Sequence, residues 1–451
     1  MANGRPRSSG VFSGIVLITI AALFLLHNYT GFGIGEVLAR WWPLILIFWG
    51  LIKLVERMAA HREGRAGGWI TPGEVFLVIA MLVLVGGFVA WDVVRTHVNL
   101  PDIGNSYSYD VDVAPLSVPA NSRITVLSGR GDLNIRSSDV PEIRVSGKKS
   151  IRTWNESDAE RLSQPVSIEI AHQGDGYEVR PTGFDLSDSR YAVDMDVVVP
   201  KKSQIVVRND RGNIVLTDMA ADVSVTGRNG DIEISNTTGN VSVDARKGDI
   251  KVTDTRGDVS IANNSGRVGG EVDVVNAGGS LTINGEFYGP VRAEKIAKGV
   301  RFVSQRSDLT LNQLTGHMET GSGNFEIVDA PGNINLRTGS NDIDIENPSG
   351  RLNVANRNAS VNVRFSSPPK DDVEINNSSG EINLSIPGSS SFEIQADCHS
   401  CDIDSDFSAP SLKKTSKENG DSHLEGKYGS GRAPRIVLKT TYGSITLRKT
   451  T

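Results

Sequence analysis

From residue 204 to residue 262, apolar and polar positions alternate in short bursts, each set off by a small residue followed by an acid or an amide. The spacing is regular. With Gly at the first position, a nine-residue frame runs through 212, 221, 230, 239, 248, 257 and 266, where Gly fills six places and Ala221 the other. The next position holds Asn213, Asp222, Asp231, Asn240, Asp249 and Asp258, and apolar pairs follow: Ile214/Leu216, Val223/Val225, Ile232/Ile234, Val241/Val243, Ile250/Val252 and Val259/Ile261. A second run uses the frame at 323, 332, 341, 350 and 359, reading "GNFEI", "GNINL", "NDIDI", "GRLNV" and "ASVNV".

Alternation of period two puts Ile232 and Ile234 on one face of a strand, with Asp231 and Glu233 on the other. One such repeat buries too little to fold alone, whereas stacked copies share a core. Gly-Asp and Gly-Asn supply the positive φ and the Asx hydrogen bonding of tight corners. One strand and one corner per nine residues predicts two repeats per coil. The expected fold is all-β, a parallel β-solenoid (β-helix) with about 18 residues per coil. Residues 18 apart then stack, predicting one core ladder of Ile214, Ile232 and Ile250 and another of Val223, Val241 and Val259. At ~4.8 Å per stacked strand, roughly fifteen coils over 120–451 make a rod on the order of 70 Å. A sandwich of antiparallel hairpins is the rival; it leaves the fixed nine-residue step unexplained.

Outside the frame the pattern loosens. Residues 107–200 hold the strand candidates "RITVLSG", "GDLNIRS" and "EIRVSGK", and "NESDAERL" (155–162) reads as a short helix capped by Asn155, inserted in an irregular start of the solenoid. Regular coils are expected over 201–451. Within them, 408–431 reads as a loop, and "RIVLKT" and "GSITLRK" as the last strands and C-terminal cap.

The first hundred residues belong to a different solvent. Three apolar segments, 11–27, 37–55 and 70–91, approach or reach the roughly 20 residues a membrane helix needs. Five of the six Trp lie in the first 91 residues, and Trp41, Trp42, Trp69 and Trp91 sit at segment ends as an interfacial belt does. Arg5 and Arg7 precede the first segment, and Arg57, Arg62 and Arg65 lie between the second and third, against Glu56 and Glu63. The positive-inside rule then makes residues 1–10 cytoplasmic, and three spans deliver everything after a 93–106 linker to the outside. A cleaved signal peptide is the alternative for the first segment, but no small-x-small cleavage site follows it.

Two resemblances accompany these patterns. "SGIVLITIAALFLLHNYTGFG…WWPLILIFWGLIKL", with Gly14, Leu25-Leu26, Trp42-Pro43-Leu44 and Gly50, resembles the transmembrane region of LiaF-type envelope-stress proteins. "GDLNIR", "VVVPKKSQIVVRNDRGNI", the nonapeptide run, "FEIQADCHSCDIDSDF" and "PRIVLKTTYGSITLRK" are similar to the adhesin-labelled family of bacterial β-solenoid domains, over about 330 residues. That likeness implies the architecture; fold alone implies little about activity.

Charge and candidate chemistry narrow the rest. A net charge of −6 gives no support for nucleic-acid binding, which needs a basic face. The Gly/Asp repeat differs from calcium-binding nonapeptides, since each unit has one Gly with the Asp beside it. "NDIDIE" lines up Asp342, Asp344 and Glu346, and "CDIDSD" lines up Asp402, Asp404 and Asp406, stripes that are weak candidates for a hard cation and otherwise solvated faces. Cys398 and Cys401 form "CHSC", where a disulfide is favoured outside the cytoplasm; free thiols and a metal or redox role are the alternatives, with His399 and His423 the nearby imidazoles. His172, His317, His399 and His423 fit no catalytic or metal-ligand spacing, so no cofactor is expected. Lys427, Arg432, Arg435, Lys439, Arg448 and Lys449, without one acid from 426 on, read as a charged cap against end-to-end pairing or as a dock for an anionic polymer. The composite expectation is a membrane-anchored, non-catalytic scaffold or adhesin-like module. It would contact lipid through its helices and wall polymer, an envelope protein or its own copies through the rod. The alternative is an envelope-stress regulator working through its membrane helices; a carbohydrate-active β-helix enzyme ranks third.

Overall fold

The computed structural model of the protein describes residues 104–263, 270–321 and 323–450. The cytoplasmic segment, the three membrane helices and all but the end of the linker, as predicted above, lie outside these residues. Among the described residues no helix is long and apolar enough to cross a membrane.

Strands β1 (Asn105–Ser117), β2 (Arg123–Ser128), β3 (Leu133–Ser138) and β4 (Glu142–Thr153) open the fold, with β1 and β4 antiparallel. Helix α1 (Glu156–Ser163) follows. Asn155 caps it, its side chain accepting from Asp158 N at 2.8 Å, the acceptor geometry that an N-cap requires. Lys149 closes the other end, Nζ donating to the carbonyls of Ser163 at 2.7 Å and Val166 at 2.8 Å. The helix is an insertion in sequence, but it packs on β4 and β1 with Ala159 buried, and so forms part of the end of the stack. A hairpin of β5 (Ser167–Gln173) and β6 (Gly176–Thr182) leads to β7 (Tyr191–Pro200). β6 then lies parallel beside β2, and β7 parallel beside β3.

The nine-residue frame becomes β8 (Gln204–Asn209), β9 (Ile214–Thr217), β10 (Val223–Gly227), β11 (Ile232–Thr237), β12 (Val241–Ala245), β13 (Ile250–Thr255) and β14 (Val259–Ala262). Even-numbered strands stack in parallel on one another, as do odd-numbered ones, so each coil places one strand in each of two sheets. Ile214, Ile232 and Ile250 are register partners, as are Val223, Val241 and Val259, and each is at most 2% exposed. Burying each such side chain is worth about 1.5–3 kcal/mol. Both sheets feed one core.

The corners show why the frame needs its small residue and its acid or amide. Gly212, Gly230 and Gly248 have φ of 124°, 143° and 110°, and a Cβ on Gly230 would sit 2.1 Å from the carbonyl oxygen of Gly212 one coil below. At the alternate corner, Gly239 and Gly257 are not left-handed; there the demand is close backbone approach alone. The Asx side chains reach up one coil. Asn213 Oδ1 accepts from Asp231 N at 2.9 Å and Asp231 Oδ1 from Asp249 N at 2.9 Å. Asp222 and Asn240 do the same for Asn240 N and Asp258 N at the other corner.

β15 (Val272–Ala277), β16 (Ser280–Asn284), β17 (Val291–Ile296) and β18 (Gly299–Val303) continue both sheets in parallel. The step between Asp249 and its partner Glu271 has grown to 22 residues. Then the chain departs from a parallel solenoid. β18 turns back into β19 (Ser307–Leu311), which is antiparallel to it, and β20 (Leu314–Thr320) is antiparallel to β17. A second reversal gives β21 (Asn324–Val328), and β22 (Ile334–Thr338) lies antiparallel to β19. One coil thus runs backwards, and β23 (Asp342–Glu346), β24 (Leu352–Asn358) and β25 (Val361–Arg364) resume the original direction. Alternation keeps Leu309, Leu311 and Met318 inside whichever way a strand runs, so the core is unaffected.

β26 (Val373–Pro387) passes through a corner and pairs with both β24 and β25. β27 (Phe392–Cys398) and β28 (Asp402–Ser405) follow. The predicted 408–431 loop holds two strands, β29 (Lys413–Ser416) and β30 (Ser422–Tyr428), the second antiparallel to β27. The two predicted last strands are one, β31 (Arg435–Thr450), and it is no terminal cap. It lies between β26 on one side and β27 and β28 on the other. The end of the core beside it is plugged by Phe392, Phe407 and Tyr428, ring centroids 4.9–5.4 Å apart.

Candidate binding cleft

Both acid stripes are exposed rows with local partners. Asp342 Oδ1 accepts from the hydroxyl of Ser360 at 2.7 Å and its N–H at 2.9 Å, and those bonds hold its carboxyl below the usual range. Asp344 accepts from Asn362 Nδ2 at 2.7 Å, and Glu346 faces Arg364 at 4.0 Å. The reversed coil adds two acids that sequence spacing did not associate with this stripe: Glu319 registers with Glu326, and Glu326 with Asp344. In the second stripe Asp402 pairs with Lys414 at 3.0 Å, which holds its carboxyl low, and Arg448 reaches Asp404 at 3.0 Å and Asp406 at 3.2 Å. Among the described residues no group of three or more His, Cys, Asp or Glu is arranged to hold a metal ion.

The basic C-terminal run corrects the charged-cap expectation. Arg448 is taken up by the acid stripe, Arg435 Nη2 donates to Gln395 Oε1 at 2.9 Å, and Lys449 lies over the rings of Phe407 and Tyr428. The guard at the edge is Lys414, whose Nζ donates to Ile403 O of the edge strand β28 at 2.5 Å.

Cys398 and Cys401 form a disulfide at the corner between β27 and β28, Cα atoms 5.5 Å apart. Beside this corner a cleft of about 650 Å³ opens over residues 376–378 within β26 and 439–441 within β31 and over the neighbouring ends of β27, β30 and β29. His423 and His399 both line it. The antiparallel register of β27 and β30 sets His423 opposite Asp397, and Nδ1 lies 2.6 Å from Asp397 Oδ1 while Nε2 lies 3.2 Å from Glu425 Oε2. Burial works against the imidazolium, but the bonds to Glu425 and Asp397 outweigh it and raise the His423 pKa. His399 Nδ1 lies 2.5 Å from Asp421 Oδ1. The bond from Asn419 to Asp421 leads the causes that hold that carboxyl low. Each imidazole is therefore occupied by carboxylate.

Residues 121–448 match the family model described as Toastrack DUF4097, and residues 12–98 match the LiaF transmembrane domain. Similar solved structures include a "putative cell adhesion protein" from Clostridium sporogenes, 10% identical, covering 77% of this chain and 100% of its own, with a TM-score of 0.16. Another, described as a "putative adhesin" from Parabacteroides distasonis, is 10% identical, covers 76% of this chain and 98% of its own, and has a TM-score of 0.22. A third, from Bacteroides fragilis, is 10% identical, covers 77% and 98%, and has a TM-score of 0.16. No curated protein matches. With a match across most of its length, the chain belongs to the Toastrack DUF4097 family and carries a LiaF transmembrane domain ahead of its β-stack.

Proposed function

We propose that this protein is a membrane-anchored, extracytoplasmic scaffold that works by binding. The observation that carries the reading is the order of the two matched domains: a LiaF transmembrane domain over 12–98, then a Toastrack domain over 121–448. Three spans at 11–27, 37–55 and 70–91 with a cytoplasmic N-terminus export the β-stack. Both nitrogens of His423 bond carboxylates, which leaves that imidazole no free nitrogen to act as a general base in the cleft. The surface partner is a wall polymer, an envelope protein or a second copy.

A Cys at Ser242, exposed on β12, reports the topology. It should react with a membrane-impermeant maleimide in intact cells; reaction only after lysis would place the stack inside. Crosslinking from outward positions of the stack should then capture a surface partner. The LiaF match also favours the regulator reading. A chain cut after residue 99 that restored envelope-stress signalling by itself would make the helices the active part and leave the scaffold reading incomplete.

A further inference from the structure

We propose that the Cys398–Cys401 disulfide is a reversible latch on the last coil, which a dithiol reductant opens to release β28 and the 417–421 turn from β31. The latch is independent of which surface partner the stack binds. Register shows what the two cysteines replace. Cys398 pairs with Thr440, Thr440 with Asn377 and Asn377 with Asn356, so the four form one buried column at the corner. In the preceding coils that column closes the corner by hydrogen bonds. Asn356 Nδ2 donates to Asn341 O at 3.0 Å and Asn358 O at 2.7 Å, Asn377 Nδ2 to Ala359 O at 2.8 Å, and Thr440 Oγ1 to Gly380 O at 3.4 Å. Asp402 pairs with Ser444, which sets Cys401 one residue earlier, stacked on Gly443 in the column that holds the corner glycine. The last coil thus has a covalent bond where its neighbours have a hydrogen bond to a corner carbonyl.

The bond acts locally. Cross-linking residues three apart closes a very short loop, the arrangement that constrains an unfolded chain least, so it does little for the stack as a whole. Its effect falls on β28, a four-residue strand whose partner strand among the described residues is β31 alone. The same corner docks the turn, since Cys401 N donates to Gly420 O at 3.0 Å and His399 bonds Asp421. Ser400, between the cysteines, holds φ 55°, a left-handed conformation that a non-glycine residue keeps only where its surroundings impose it. Cys398 is 3% exposed and Cys401 is half-buried, so attack falls on Cys401 Sγ. One thiolate of the dithiol bonds that sulfur and expels the Cys398 thiolate; its second thiol then displaces Cys401. The reductant leaves as a disulfide, and two electrons and two protons remain on the cysteines. Opening brings Ile403, fully buried in the closed coil, and the β31 edge over 444–447 to solvent.

The chain has two cysteines, so a thiol count reports the latch directly. In full-length protein in detergent micelles, dithiothreitol without denaturant should make both react with a maleimide. Amide exchange over 402–406 should quicken about tenfold or more on reduction, while 392–397 and 373–386 change little. Glutathione disulfide, added after the reductant is removed, should restore the slow rate. Cys398→Ser with Cys401→Ser should exchange at the fast rate with or without reductant. Cys398→Asn with Cys401→Gly, which installs the hydrogen-bonded corner of the neighbouring coils, should exchange slowly in both conditions, and this separates an open latch from misfolding. A disulfide that reacts only in denaturant, exchange over 402–406 unmoved by reduction, or exchange that quickens equally over 373–386 overturns the proposal. An Asn/Gly variant as fast as the reduced protein does so too.

Discussion

Replacing Gly230 by Ala tests the corner on which the stack depends. At φ 143° this residue sits where only glycine is comfortable, which costs an alanine about 1–3 kcal/mol. The new Cβ would lie 2.1 Å from Gly212 O and 2.5 Å from Gly212 C, against the 3.4 Å at which ordinary contact begins, so adjacent coils must part by more than an ångström. The bonds nearest the wedge are Asp231 N to Asn213 Oδ1 at 2.9 Å and Ile214 N to Asp231 O at 2.8 Å. Losing two such bonds adds about 1–3 kcal/mol. The total is about 2–6 kcal/mol, centred near 4. Gly339, with nothing within 4 Å of its Cβ position and no positive φ, is the control, and Ala there should be neutral or slightly stabilising. Amide hydrogen exchange on the intact chain reads the effect locally. Protection over 204–255 should fall about a thousandfold in Gly230→Ala, since each 1.4 kcal/mol is tenfold, and 373–386 should change little. Equal exchange in the two variants would refute inter-coil contact as the reason for the glycine.

Asp231→Asn should leave stability within about 0.5 kcal/mol, because an amide oxygen accepts from the next coil as Asn213 and Asn240 do, whereas Asp231→Ala should cost about 1 kcal/mol in a urea melt. Ile234→Ala, at a site with 0% exposure, should cost about 2–5 kcal/mol in the same melt. His423 has a raised pKa when folded, so its contribution is full below the unfolded value of about 6.5 and fades as pH climbs through the folded one. Exchange from β30, corrected for its intrinsic pH dependence, should therefore quicken on going from mildly acidic to alkaline buffer, and His423→Gln should flatten that trend.

Repeat length, inward face and stacking partners were legible because each is set by local chemistry. Alternation decides which side of a strand is apolar, and the small residue with its Asx neighbour decides where the chain may turn. Strand direction was not legible. Leu309 and Leu311 face inward from a reversed β19 as they would from a forward one, and only loss of the frame between 266 and 323 marks the change. β29 was missed because Lys413, Lys414, Thr415 and Ser416 are all exposed and lack an apolar alternate. The cleft was hidden for the same reason. Spacing alone brings Cys398 to Cys401, but Asp397 meets His423 through an antiparallel register, and Lys439 arrives on a strand inserted out of order.

The placement of available chemistry follows from the same facts. In the regular coils the conserved-in-pattern groups are committed: Asn213, Asp231, Asp222 and Asn240 hold the N–H groups of the next coil, and the apolar pairs are sealed in the core. What faces outward along β10, β12 and β14 is largely small, as with Ser224, Ser242 and Ser260. A partner has little there to distinguish one coil from the next. Distinctive groups arise where the repeat is broken. The reversed coil gathers Glu319 and Glu326 beside Asp344, and inserting β31 sets Lys439 near two imidazole–carboxylate pairs. Regular coils thus supply length, and departures from regularity supply chemically distinct surface. Grafting further 18-residue coils into the β10–β14 region should lengthen the stack while leaving amide exchange over 373–386 unchanged.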